Sequence, residues 1–312
     1  MTPEDAPITK TAVVRDLERF VSSQPPGLAE WRAECSSPRI RIIGPPAFSF
    51  GAIFSGLRAL IQYSDLLWAL SLFRLNVRYK QSFLGWAWAA LQPLALMGIY
   101  TFVFAHVTKV NTGGAPYTIF VFSGLLPWLF FSSSITNAVH GIVAYPALLT
   151  KMYFPREIIP LSYLAAGVTD FLIASIILAG LLAHYRVAPT WNLLYAIPIL
   201  VVLGAFAAAM ALFLAAVHVR FRDVGLGLPF VLQVWMFATP VVYSLQAVPP
   251  RYRNLYRLDP VAVAIDSFRG AVLYGHAPDA RILTEAGVEM IVGLTLAYAF
   301  FKSAEATMAD VV

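Results

Sequence analysis

Between Gly85 and Lys302 the chain is a succession of long apolar runs broken by short polar turns. A hydrocarbon layer about 30 Å thick is crossed by roughly 20 residues of helix, at 1.5 Å per residue. Six stretches reach that length: Gly85–His106, Tyr117–His140, Pro160–His184, Leu193–Val217, Gly225–Tyr243 and Leu283–Phe301. Gln92-Pro93 and Pro127 predict bends in the first two. The pattern predicts an all-α integral membrane protein with six transmembrane helices.

The shorter segments add to this frame. Ala47–Leu57 is apolar but only half a span, and is expected to lie against the membrane. In Ser64–Ser82, Ser71, Arg74, Arg78 and Gln81 recur at three- and four-residue steps. That spacing puts them on one helix face, with Trp68, Leu72, Leu75 and Tyr79 over much of the rest. A basic stripe on an apolar helix predicts an amphipathic helix lying in the membrane interface; the alternative is a buried helix of the soluble type. Residues 244–282 are too long and too apolar for a solvated loop. Val261–Tyr274 has a helical pattern but is too short to cross, which predicts one or two re-entrant or surface helices. Ahead of all this, residues 1–63 read as a cytosolic extension: a short helix at Thr11–Val21, a break at Gln24–Gly27 and a strand-like Arg39–Ile43.

Composition agrees with a membrane class. Hydrophobic residues make up 59% of the chain and charged residues 12%, where a soluble domain has about 25% charged; the mean hydropathy is +0.70. A net charge of +5 could point to nucleic acid, but no basic block of the kind such binding uses is present. The single cysteine, Cys35, permits no intrachain disulfide. Met1–Pro46 is mixed and polar, so no secretory leader is expected.

Lys and Arg set the orientation. Ten lie in residues 1–84, and Lys151, Arg156, Arg220, Arg222 and Lys302 fall on the same side of a six-span drawing, whereas the short opposite loops hold only Lys109 and Arg186. The positive-inside rule then places both termini in the cytoplasm. Residues 244–282 run against the rule, because they would be external yet carry Arg251, Arg253, Arg257, Arg269 and Arg281.

Little catalytic chemistry is legible. The five histidines are scattered, most at span ends, and none has a two-ligand metal spacing. No phosphate-binding loop occurs, nor any Gly-Lys pair. No catalytic residue and no metal site is therefore expected. Asp170 is the clearest acid inside a span. With no Lys or Arg beside it within the spans, helix packing and hydrogen bonding are preferred to a proton or cation site. The cytosolic loop between the second and third spans carries Leu148, Lys151, Met152, Tyr153, Phe154, Pro155, Arg156 and Glu157. So many large side chains around a short helix at Ala147–Phe154 suggest a docking knob for another subunit; the alternative is an interfacial turn. Tyr100 and Phe104 on the first span and Trp235 and Phe237 on the fifth are candidate channel-lining aromatics; the alternative is lipid contact.

A resemblance joins these features. Val77–Pro93 (VRYKQSFLGWAWAALQP) is similar to the opening signature of the permeases of polysaccharide-exporting ABC transporters, the O-antigen or Wzm group. Phe122–Phe131, Lys151–Glu157, Val219–Val224 and Ala306–Val312 are similar to that family too, in order. One departure is Arg74-Leu75, where the family often has Arg followed by an acid. The resemblance implies a homodimer bound to two copies of a separate ATPase subunit that carries ATP and Mg. It implies transport of lipid-linked polysaccharide from the cytoplasm across the bacterial inner membrane. It makes residues 64–84 the interface helix, with Trp68, Arg74, Arg78, Tyr79 and Lys80. Within the transmembrane domain 85–302, it makes 141–159 the ATPase-coupling loop. Residues 244–282 become the external gate, with Tyr252, Tyr256, Phe268 and Tyr274, and 303–312 a cytosolic tail. The rival expectations are an integral-membrane enzyme of glycan assembly, with Asp259, Asp266 and His276 as its candidate groups; an exporter of teichoic acid or capsule; and a channel without an ATPase.

Overall fold

The computed structural model describes residues 61–80, 82–107, 112–144 and 154–311. The chain divides into Met1–Gly44 and Pro45–Val312, and all described residues belong to the second unit. The expected features within residues 1–60, Gln81 of the polar stripe, and Leu148, Lys151, Met152 and Tyr153 of the loop lie outside the described residues.

Among the described residues every regular element is helical. α1 is Ser64–Tyr79. α2 is Ala87–Thr101, continued by a wider π turn at Phe102–Val107. α3 is Tyr117–Ala144, α4 is Ile158–His184, and α5 is Ala196–Arg220 behind a 3-10 turn at Trp191–Tyr195. α6 is Asp223–Ala238, α7 is Pro250–Tyr256, α8 is Pro260–Leu273 and α9 is Ala280–Val311. Five of these segments, Ala87–Ala105, α3, α4, Trp191–Arg220 and Ala280–Glu305, are long and apolar enough to cross a bilayer.

The fifth expected span, Gly225–Tyr243, is where pattern and structure part. α6 has only 16 residues, about 24 Å of helix. The cause is Pro240, whose ring disfavours helical backbone at the residue before it. Thr239 is accordingly extended, at φ −84° and ψ 143°.

Leaving the helix there frees carbonyls, and those from Phe237 to Val242 find donors. The Tyr243 hydroxyl donates to the carbonyls of Phe237 (3.1 Å) and Ala238 (3.0 Å). The Val241 amide donates to Thr239 O at 2.7 Å. Arg269 donates to Pro240 O (3.1 Å) and Val241 O (2.7 Å), and the Tyr117 hydroxyl to Val242 O (2.7 Å). Irregular backbone in an apolar bundle is tolerated only with such satisfaction.

α3 is the central helix. Its first half is apolar nearly all round, the mark of a buried helix, and Ile119, Phe122, Leu125, Phe131 and Ile135 are fully buried. It packs against α2, α4, α5 and α8. α5 presents small residues, including Ala207, Ala211 and Ala215, that let neighbouring helices approach closely. α9 runs along α5.

α3 and α4 meet closely enough that a methyl group on Gly141 would overlap the ring of Tyr163, whereas one on Gly180 would meet open space. Gly141→Ala is expected to destabilise the protein by about 1–3 kcal/mol through overpacking. Gly180→Ala should be neutral or mildly stabilising, because Ala favours helix over Gly. Melting curves of the two detergent-purified variants separate these outcomes, and equal melting temperatures would contradict the packing.

Candidate functional site

The basic stripe of α1 turns inward. Ser71, Arg74 and Tyr79 are buried, while Trp68, Leu72, Phe73 and Val77 are exposed. Arg74 Nε donates to Ser162 Oγ at 2.8 Å, and its guanidinium lies 3.6 Å from the centre of the Tyr163 ring. Arg78 pairs with Asp170 at 2.6 Å, and the Tyr79 hydroxyl donates to the other Asp170 oxygen at 2.8 Å. Burial first, and then the bond to the Asp170 carboxylate, push the Tyr79 hydroxyl up to about 12. Among the described residues no Lys or Arg of the spans pairs with Asp170, as expected, but a cation reaches it from outside them. Its partner comes from α1, 92 residues away in the chain, a pairing invisible to inspection of the spans alone. The packing role preferred for Asp170 stands. The departure at Arg74-Leu75 leaves no gap, since Leu75 packs with Tyr79 and Ala166 and the ion pair of α1 forms one turn later. Lys80 ends the helix with an exposed side chain.

Asp170 sits about 18 Å along α4 from its start, at 1.5 Å per residue. There it borders a cavity of about 690 Å³. α2 contributes Trp88, Gln92, Leu96 and Tyr100; α3 contributes Trp128, Ser132, Ser133, Thr136 and Asn137; α4 adds Phe171 and α6 adds Gln233 and Met236. Aromatic rings and uncharged amide and hydroxyl groups share the wall with aliphatic side chains such as Leu126, Leu129 and Leu232. Among the described residues its only ionic groups are Arg78 and Asp170, which pair with each other. Such a surface suits a neutral, hydroxyl-rich ligand with apolar ring faces.

Of the four candidate channel aromatics, Tyr100 lies on this cavity, its hydroxyl 3.8 Å from Met236 Sδ. Phe104 stacks on Tyr117. Trp235 packs edge-on against Phe131 and Phe206, and donates to Asp259 at 3.1 Å. Phe237 is half exposed on the outer face of the bundle. Asn137 and Gln233 went unremarked in the sequence, and Gln92 and Trp128 were named only in a bend and a motif, because a residue in an apolar run reveals its facing only once the helices are packed.

The segment after α6 is held by its own polar groups. Asp259 caps α8 by accepting from the Val261 amide at 3.0 Å, and takes the Thr239 hydroxyl at 2.9 Å as well as Trp235. It is thus a structural tie rather than a free acid. The Tyr256 hydroxyl lies 2.9 Å from that of Tyr243. Phe268 is buried edge-on to Phe171, and Tyr274 donates to the Thr112 carbonyl. Tyr252 is exposed with Arg251 against its ring. Arg253 donates to the Val248 and Gln246 carbonyls, and Arg281 pairs with Glu285. Of the five arginines of this segment, Arg253 is thus spent on the segment's own carbonyls.

Arg269 is the most buried of them, at 2% exposure, with its guanidinium 3.9 Å from the centre of the Phe120 ring. Burial lowers it to about 10, still well above neutrality, so it stays charged. Gly124 opposite has no room for a side chain, since a methyl group would meet Arg269 and the Val241 carbonyl.

At the other end of the bundle, Phe154 packs against buried Ile142 and Ile159 and their neighbours. Glu157 is fully buried and bonded to Tyr298 and Lys302. A carboxylate with an internal cation is held inside. Among the described residues no cluster of His, Cys, Asp or Glu could hold a metal ion.

Among the described residues, five helices long and apolar enough to cross a bilayer, packed around a cavity, define a multi-pass membrane protein. Residues 65–273 match the ABC-2 type transporter family, and the chain belongs to that family. It is 33% identical over 257 residues to the O-antigen export system permease protein RfbA of Myxococcus xanthus, covering 81% of this chain and 98% of that one. A Klebsiella pneumoniae protein of the same name is 30% identical over 213 residues, 68% of this chain and 81% of its own length. The polysialic acid transport protein KpsM of Escherichia coli is 23% identical over 248 residues, 77% of this chain and 93% of that protein. The chain is a permease subunit and not an enzyme of glycan assembly.

Arg269→Met would leave the Pro240 and Val241 carbonyls without donors. Hydrogen bonds to a charged group are worth about 1.5–3 kcal/mol each, so a loss of about 3 kcal/mol or more is expected. Arg251→Met, at an exposed site, should stay within about 0.5 kcal/mol of wild type. Thermal melting in detergent measures both, and wild-type stability of Arg269→Met would contradict the role given to this residue.

Proposed function

We propose that this chain is the membrane-spanning permease subunit of an ATP-driven exporter that moves lipid-linked polysaccharide of the O-antigen type out of the cytoplasm, across a bacterial inner membrane. Two copies work with two ATPase subunits, which carry ATP and Mg. The observation that carries the reading is the match to RfbA over 98% of that protein's length. The neutral aromatic-and-amide cavity supports it independently: ring faces and hydroxyl-binding groups are what a sugar polymer offers and requires. The more distant likeness to KpsM makes capsule polysaccharide the second substrate class.

In this reading the chain crosses six times, with both termini cytoplasmic. α6 and the extended Thr239–Tyr243 together make the fifth crossing, and α7–α8 form the external gate. α1 lies at the cytoplasmic interface, its Arg74 and Arg78 turned to α4 and its Trp68 face to lipid. Leu148, Lys151, Met152, Tyr153 and Phe154 form the face that docks the ATPase. Nucleotide-driven closure of the ATPases shifts the permease between two conformations by favouring one of them.

The test is reconstitution of this chain with a candidate ABC ATPase subunit from the same organism, in vesicles holding lipid-linked O-antigen on one leaflet. ATP-dependent appearance of the polymer on the opposite side is expected, and only when both proteins are present. Transport by the permease alone, or ATP hydrolysis by the pair that never moves polymer of either class, would overturn the reading.

A further inference from the structure

We propose that Arg156 and Glu157 form a clasp that ties the docking loop to α9, so that motion entering at the loop is carried by α9 to the external segment. The proposal rests on the reading of that loop as the ATPase contact. Glu157 stands at the N-terminus of α4, where a carboxylate ordinarily caps its own helix. Its side chain makes no such cap. It turns instead to α9, accepting from the Tyr298 hydroxyl at 3.1 Å and from Lys302 Nζ at 2.8 Å. Lys302 also holds Glu305 at 2.8 Å. Arg156 completes the tie, with Nη1 donating to the Glu305 carbonyl at 2.6 Å.

Around this ion pair lies an apolar cluster drawn from four helices: Ile142 of α3, Ile159 of α4, Val219 of α5 and Phe301 of α9 are among its members. The cluster keeps water from Glu157. Drawing Lys302 away would leave the fully buried Glu157 carboxylate without its cation, which is far costlier than moving the two together.

The other end of α9 explains what such a tie could do. α9 has 32 residues, about 48 Å at 1.5 Å per residue. It begins at Ala280, a few residues beyond the end of α8 at Leu273, and packs against α8. One helix thus has the clasp near its C-terminal end and the proposed gate at its start. A displacement of Arg156–Glu157 moves α9, and α9 moves α8. Lys302 and Glu157 are positioning residues in this scheme, not ligands of substrate or ATPase.

The experiment uses the full chain with its ATPase. Glu157→Leu/Lys302→Leu removes both charges at once, avoiding the stranded ion that either single change would leave. The variant complex should still co-purify and hydrolyse ATP within twofold of wild type. Polymer exported per ATP should fall at least tenfold, and a spin-label pair at Tyr252→Cys and Ser303→Cys, in a Cys35→Ser chain, should lose its ATP-dependent distance change. Unchanged export per ATP overturns the clasp. So does loss of ATPase binding by the variant alone, which would put Glu157 on the docking face. Failure of the wild-type chain to bind the ATPase would instead overturn the docking reading itself.

A second variant is independent of how well the apolar pair folds. Arg156→Cys/Glu305→Cys, in the Cys35→Ser chain, replaces the Arg156 tie by a covalent cross-link. If loop and α9 move as one, the cross-linked complex exports at least as fast as the reduced one. A cross-link that stops export means that the two move apart, and the proposal fails.

Discussion

A backbone carbonyl that leaves a helix inside an apolar bundle must find a donor there, because neither hydrocarbon nor packed side chains supply one. At Pro240 this constraint shapes the outer half of the molecule. The carbonyls from Phe237 to Val242 are taken by Tyr243, the Val241 amide, Arg269 and Tyr117. Arg269 can serve two of them only if α8 lies across α3, with Gly124 giving it room. The short α6, the position of α8 and the bare surface of Gly124 are thus one arrangement seen from three sides.

The same rule operates elsewhere in the bundle. Arg78 and Tyr79 meet Asp170 near the middle of α4, and Lys302 meets Glu157 near the end of α9. Each tie joins segments far apart in sequence, so each fixes a helix that apolar contact alone would leave free to slide. Apolar packing among lipid-like side chains is weakly directional, and polar pairs within it set register.

Much of this was legible in the chain and some was not. The hydropathy pattern located α2, α3, α4, α5 and α9 well, because a span is a local property of some twenty residues. Val261–Tyr274 was read as a helix too short to cross, and α8 is that helix. The early stop of α6 had a local signal in Thr239-Pro240 that a hydropathy window averages away. The partners of Asp170 and Glu157 had none, since they lie 92 and 145 residues distant and depend on how helices pack. Trp235 illustrates the limit for facing. An aromatic near a proline in a span could equally have lined a conduit, and only the packed neighbours Phe131 and Phe206, with Asp259 on its indole nitrogen, place it in the wall.

In this account the ties hold a frame, and the cavity between α2, α3, α4 and α6 is the route through it. The measurement that bears on this most directly is thiol modification during ATP turnover, on a Cys35→Ser chain assembled with its ATPase in vesicles. Tyr100→Cys and Gln233→Cys should react with a charged, water-soluble reagent faster during turnover than at rest, and saturating polysaccharide should protect them. Phe237→Cys should react only with lipid-soluble reagents. Reaction of Phe237→Cys with the charged reagent, while Tyr100→Cys and Gln233→Cys stay inert in every state, would contradict the account.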